Sequence, residues 1–126
     1  MKTFRVALCL LVAVVVGISC GPIRAVTATA DAKDDLFKAE LAGAHVIKSG
    51  EKYITPAQYE YQLAYLYLEK SKELQGFAKY DAAYFYATKA AELGKGAVRD
   101  KAEEERRRIR RQQILSGQIL KKNLGN

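Results

Sequence analysis

Tryptophan is missing from this chain, and histidine, proline and cysteine are nearly so: one, two and two in 126 residues. Each scarcity excludes something. His45 has no second histidine and no neighbouring cysteine with which to build a metal site, and a lone helical histidine reads as surface or boundary structure rather than as a catalytic base. Cys9 lies inside an apolar leader, so Cys20 is the one thiol of the remaining chain and no disulfide framework is available. No G-x-S-x-G pattern surrounds Ser49 or Ser116, and Gly94-Lys95-Gly96 lacks both the length and the Ser/Thr partner of a phosphate loop. No segment alternates polar and apolar residues with the period of a strand. No enzyme, metal or cofactor is expected from these residues.

What is present begins with an address. Lys2 and Arg5 open the chain with positive charge, and Val6 to Ile18 form an apolar run of thirteen residues. That is short of the about twenty needed to cross a bilayer and suits the core of a secretory signal. Gly17-Ile18-Ser19-Cys20 resembles the lipobox of bacterial lipoproteins, departing from it at Gly17, where members of that family carry Leu, Val or Ile. The resemblance implies cleavage before Cys20 and lipidation of its thiol. Each buried CH₂ of the acyl chains would contribute about 0.8 kcal/mol, enough together for a durable membrane anchor. Gly21, in place of the Asp that retains such proteins in the inner membrane, implies the outer membrane and a periplasmic face. The alternative is an ordinary cleaved signal ending at Ala28-Thr29-Ala30, ten residues beyond the apolar run.

The charge of +7 is unevenly spread. Cys20 to Gly94 carries nine Lys and Arg against ten Asp and Glu, whereas Lys95 to Asn126 carries ten against four. The positive surplus therefore belongs to the tail. The layout expected is a lipoprotein signal peptide over 1–19, a lipidated tether over 20–27, a helical domain over 28–95 and a basic helical tail over 96–126.

The body reads as all-α. A first helix is expected over 28–48, with Phe37, Leu41 and Ala44 on its inner face and Ser49-Gly50 as its stop. Thr55-Pro56-Ala57-Gln58 is a capping box with proline at the first helical position, and starts a second helix that runs to Leu74 with Gly76 as its exit. A third is expected over 79–93, closed by Gly94 and Gly96, and a fourth from Ala97 into the tail. On the second helix Ala57, Tyr61, Ala64, Leu68 and Ser71 form one stripe, and Tyr59, Leu63 and Leu66 another on the opposite side, as in a helix sandwiched between neighbours. The third presents Ala83, Ala87, Ala90 and Ala91 framed by tyrosines, which suits close helix contact. The fold expected is a short antiparallel helical bundle with a long basic C-terminal helix.

Within residues 59–97, the segments "EYQLAYLYL" and "YDAAYFYATKAA" resemble an uncharacterised family of small bacterial lipoproteins, a domain of unknown function. Glu60, Tyr61, Ala64, Tyr67 and Leu68 match its first helix, and Tyr80, Ala83, Tyr86, Ala87 and Ala90 its second. Such proteins often accompany OmpA-like envelope proteins, so the resemblance implies an envelope role with such a protein as partner. Tyr80, Ala83 and Ala90 also resemble one tetratricopeptide unit. A stable stack needs about three units, so the expectation is a TPR-like helix pair and not a repeat protein.

Two surfaces are candidate sites. Arg106, Arg107, Arg108, Arg110 and Arg111 stand within six positions. They fit a solvated helix face, with Glu103–Arg107 and Glu104–Arg108 pairs, or a contact with anionic lipid headgroups or peptidoglycan carboxylates. Nucleic acid is disfavoured, since an exported protein does not meet it and no aromatics interleave with the arginines. The second surface is a groove between the second and third helices, edged by Tyr61, Tyr65, Tyr84 and Tyr86. The same tyrosines also fit the role of finishing a small core. Asp34 and Asp35 are expected in the first turns of a helix, where negative charge is favourable. The function expected is that of an outer-membrane-anchored, non-enzymatic adaptor or scaffold. The alternative is a peptidoglycan- or anionic-lipid-binding protein acting through its basic helix, with an unrecognised active site as a third and weaker reading.

Overall fold

The computed structural model describes residues 2–46 and 53–124, and the side chains of 21–46 and 53–119. It is all-α, with three helices packed on one another: α1 (Lys2–Leu41), α2 (Pro56–Gly76) and α3 (Tyr80–Leu124). Cross-helix contacts fix the directions. Gly21 approaches Tyr80, Gly94 lies against Asp35 and Leu36, and Gly43 approaches Lys101, so α1 and α3 run parallel. Thr29 meets Ser71 while Ala39 and Ala44 meet Ala57, so α2 runs antiparallel to both.

Local chemistry sets the helix ends. Thr55 Oγ1 accepts from the Gln58 amide at 3.3 Å and Gln58 Oε1 accepts from the Thr55 amide at 2.8 Å, the reciprocal capping box read from the sequence. Gln58 is buried and also donates through Nε2 to the Val46 carbonyl at 2.6 Å, tying the start of α2 to the end of the α1 turn. α1 stops at Leu41 because Gly43 takes a left-handed conformation (φ 77°). The Gly43 amide then donates to Glu40 and the Ala44 amide to Ala39, and Ala44 buries itself against Ala39. α2 ends with the same pattern on a less suitable residue: Ala78 holds φ 56°, and the Lys79 amide donates to the Leu74 carbonyl at 2.9 Å.

The core is built from small residues spaced by seven. Ala25, Ala32 and Ala39 of α1, Ala57, Ala64 and Ser71 of α2, and Ala83, Ala90 and Ala97 of α3 are all essentially inaccessible to solvent. They stack in three layers. The first holds Ala25, Leu74 and Ala83. The second holds Ala32, Leu36, Ala64, Leu68 and Ala90. The third holds Ala39, Ala44, Ala57 and Ala97. A repeat of seven keeps one seam facing inward, and small side chains on that seam let the helix axes approach closely. Ser71 adds a polar tie within this seam. Its hydroxyl donates to the Ala83 carbonyl at 2.9 Å and lies 2.9 Å from Thr29 Oγ1, so one buried side chain of α2 links both other helices.

Several expectations are corrected here. The first helix ends at Leu41, not at residue 48, and Ser49-Gly50 and Ile47 fall outside the described residues. Phe37 and Leu41 face solvent, because the heptad positions Ala32, Leu36 and Ala39 occupy the inner face instead. Residues 20–27, expected as a lipidated tether, are helical, with Ala25 fully buried. Asp35 is in mid-helix, not in a first turn; it is buried and bonded to Lys38 at 3.4 Å and to Lys95 of α3 at 3.5 Å. The Tyr59–Leu63–Leu66 stripe is not sandwiched: Tyr59 and Leu66 lie on the outer surface of α2, 60% and 61% exposed. Gly76 is the last helical residue of α2, and Ala78 makes the turn.

The expected break at Gly94 and Gly96 is also absent. α3 continues from Tyr80 to Leu124, with no separate fourth helix. Glycine serves proximity at both positions. A Cβ on Gly94 would stand 3.1 Å from the Asp35 backbone, and one on Gly96 would overlap the Glu60 carboxylate. Close packing against α1 and α2 outweighs the roughly 1 kcal/mol that each glycine costs a helix relative to alanine.

Candidate functional site

The bundle occupies only part of α3. Ala97 is buried in the third layer, Val98 is partly buried, and Lys101 reaches Gly43. Beyond Glu104 every described side chain up to Ile119 is exposed. From Ala102 to Leu124 the helix therefore projects past the other two, by about 33 Å at 1.5 Å per residue.

The five arginines sit on this projection and do not behave alike. Arg107 donates from Nε to Glu103 Oε1 at 3.1 Å, the pair expected from their four-residue spacing. That contact holds the Glu103 carboxyl below its ordinary range and the Arg107 guanidinium above its own. Arg108 pairs with Glu105 at 3.7 Å, not with Glu104, which instead faces Lys101 at 3.6 Å. Arg106, Arg110 and Arg111 have no carboxylate within ion-pair distance among the described residues. Arg99, Arg106 and Arg110 line one shallow groove along α3 with Ala102, Glu103 and Arg107. Arg111 faces the other way, into a groove of about 370 Å³ that includes Thr55, Pro56, Lys101 and Arg108.

The four candidate tyrosines do not share one groove. Tyr61 packs on the second and third core layers, with the His45 ring 5.9 Å away. Burial pushes its phenol above the ordinary range, and Glu40 and Tyr65 add to the effect. Tyr65 is exposed, one turn further along α2. Tyr84 faces α1, with the Arg24 guanidinium 4.5 Å from its ring centre; Arg24 and then Thr88 hold its phenol below the usual range. Tyr86 packs on the first layer and stands edge-on to Tyr67 of α2 at 5.6 Å and to Phe85 at 5.5 Å. Tyr61 and Tyr86 thus finish the core, while Tyr84 lines a cleft between α1 and α3 with Arg24, Asp31, Thr88 and Lys95.

One feature escaped the sequence reading. Glu60 Oε2 is shielded from solvent and has no hydrogen-bond partner. Burial raises the Glu60 pKa, Asp100 raises it further, and Arg99 partly offsets both. The signal available was the glycine at 96 within an otherwise good helix former, which marks a close neighbour rather than a break. Cys20 lies in α1 just before the first described side chain, so its thiol is outside the described set. Pro22 sits inside the same helix and lacks the amide that would bond one turn back. No group of three or more His, Cys, Asp or Glu able to hold a metal occurs among the described residues, and none of their helices is long and apolar enough to cross a membrane. No family model, curated protein or solved structure matches this chain.

Proposed function

We propose that this chain is a lipid-anchored, non-enzymatic scaffold of the cell envelope, held at the outer membrane through Cys20 and facing the periplasm. The anchor rests on the order of residues 1–21: a basic start, thirteen apolar residues, then Ser19 and Cys20. The scaffold role rests on one observation above others, the basic helix that leaves the bundle and carries its arginines into solvent. The bundle itself is close-packed by alanines and holds that helix at a fixed angle. Action by binding fits the ionisable groups, since Lys38 and Asp34, Lys70 and Glu73, Lys72 and Glu69, and Lys89 and Glu92 pair with each other on the surface. The resemblance of residues 59–97 to small envelope lipoproteins supports the same setting and makes an OmpA-like protein a fitting partner.

The test of the anchor is metabolic labelling with a radioactive fatty acid in cells expressing the full chain. The wild type takes up label and fractionates with membranes, whereas Cys20→Ser takes up none and is released or left uncleaved. Equal soluble yields of both proteins would overturn the anchored reading.

A further inference from the structure

The two projecting ends of the molecule point in opposite directions, and this decides between partners for the arginines. α1 and α3 are parallel, with Gly21 level with Tyr80. Arg106 is twenty-six residues further along α3, which places it about 39 Å from the level of Gly21 and Cys20. That separation is several times the roughly 10 Å over which charges interact at 0.1 M salt. With the helix axes along the membrane normal, a headgroup layer at the anchored end is out of reach of this face.

The projecting helix is also poorly made for lying on lipid. Ile109, Ile114, Leu115 and Ile119 are each about half exposed. At 3.6 residues per turn they scatter over roughly 220° of the helix circumference, with arginines between them. Among the described side chains these four form no single apolar face to be immersed while the basic face stays in water. Arg106 and Arg110, by contrast, share a face with Arg99, separated by about 10 Å and 6 Å along the axis. Neither Arg106 nor Arg110 is neutralised by a carboxylate of the described chain, whereas Arg107 and Arg108 are, and Arg99 pairs with its neighbour Asp100 at 3.3 Å.

We infer that the Arg99–Arg106–Arg110 face binds a carboxylate-bearing polymer, the peptidoglycan meshwork, about 40 Å along the helix axis from the anchored end. The distance rests on the lipid-anchored reading; the choice of arginines does not. Guanidinium groups take carboxylates in paired hydrogen bonds, and Arg107, which donates from Nε and Nη2 to the one oxygen Glu103 Oε1, shows the affinity of these arginines for a carboxylate within the chain. The bundle acts as a spacer, and the helix touches the wall along its length without covalent attachment.

The experiment uses the purified full chain in non-ionic detergent, co-sedimented with protein-free peptidoglycan sacculi. Two variants remove equal charge: R106Q/R110Q takes the unpaired arginines, R107Q/R108Q the paired ones. All four side chains are exposed, so circular dichroism should show the same helix content in each. R106Q/R110Q is expected to weaken binding about tenfold and R107Q/R108Q less than about threefold, because the latter are already satisfied. Equal losses would reduce the binding to diffuse charge and overturn the inference. So would a wild type that ignores sacculi. A parallel assay compares retention on anionic and on neutral vesicles; an anionic preference as large as the sacculus effect would assign the arginines to lipid headgroups instead. The two readings fail separately: a chain that takes no fatty acid yet binds sacculi through Arg106 and Arg110 loses only its anchor, and a labelled chain that ignores sacculi loses only this inference.

Discussion

Between Tyr80 and Lys101, α3 turns Ala83, Ala87, Ala90, Gly94 and Ala97 into the bundle, where each is buried. From Ala102 to Ile119 the same helix buries nothing completely, and its side chains are mostly charged or polar. The first stretch is helical because its small-residue seam packs against α1 and α2. The second must rely on the residues' own helix propensity, on continuity with the packed turns and on fully exposed surface pairs such as Glu103–Arg107, which contribute little. One helix thus serves as core at one end and as an exposed charged arm at the other. The boundary falls near Lys101, where α3 meets Gly43; beyond it, among the described residues, only Thr55 and Pro56, at the start of α2, still share a groove with its side chains.

Changes to the packed stretch should separate the two regions most sharply. Ala87 is fully buried, so Ala87→Leu would force the close helix contact apart and cost about 1–3 kcal/mol. A thermal melt should shift down accordingly, while an equivalent Ala102→Leu should not. If Ala87→Leu melts like the wild type, the small-residue seam is not what holds the helices. Ser71→Ala should cost less, about 1 kcal/mol, because it removes the hydroxyl that ties α2 to the Ala83 carbonyl. Denaturant midpoints check this, and an unchanged midpoint would remove the polar tie from the account.

Glu60 sharpens the comparison through pH. Its pKa is raised in the folded chain, chiefly by burial. Below the ordinary value of 4.5 both folded and unfolded chains hold the proton. As pH rises from there to the raised folded value, the unfolded chain loses its proton first, so stability falls over that window and stays lower above it. Glu60→Gln should flatten this slope and stabilise the bundle at neutral pH, by about 1 kcal/mol or less. A Glu60→Gln protein that shows the wild-type pH profile would contradict the partly buried carboxylate whose Oε2 has no partner.

The smallest effects are expected at the surface. Ala78 holds a left-handed conformation that glycine adopts without cost, so Ala78→Gly should raise stability by about 0.5 kcal/mol. Replacing Arg106, Arg107, Arg108, Arg110 and Arg111 together with Gln should leave the melting temperature nearly unchanged, since all five are exposed. A loss of several degrees in the melt would mean that the arm folds back onto the bundle.

The sequence showed the elements of this fold better than their limits. The capping box at Thr55–Gln58 and the alanines of residues 83–90 were legible because both depend on local spacing. The α1 face was misread, since Phe37 and Leu41 are larger than the alanines that are buried and dominate any pattern weighted by hydrophobicity. Seven-residue spacing of Ala25, Ala32 and Ala39 carried the right signal. Gly94 and Gly96 were misread for a different reason: whether glycine ends a helix or admits a neighbour depends on α1 and α2, which lie far away in sequence. The arginine run was visible as a run, but its division into paired and unpaired members depends on which glutamates the helix turns toward them.

The central claim is that the arm stands away from the bundle, with its basic face far from the Cys20 end. A distance between spin labels tests it directly, with cysteines placed at Ile23 and Gln112 of the full chain and Cys9 and Cys20 replaced by serine. Ile23 lies near the level of the start of α3, and Gln112 some thirty residues along it, so a continuous projecting helix predicts a distance of about 45 Å. A narrow distribution near that value supports the account. A dominant population at about 25 Å or less, as expected if the helix reverses near Ala102 and returns along the bundle, would contradict it.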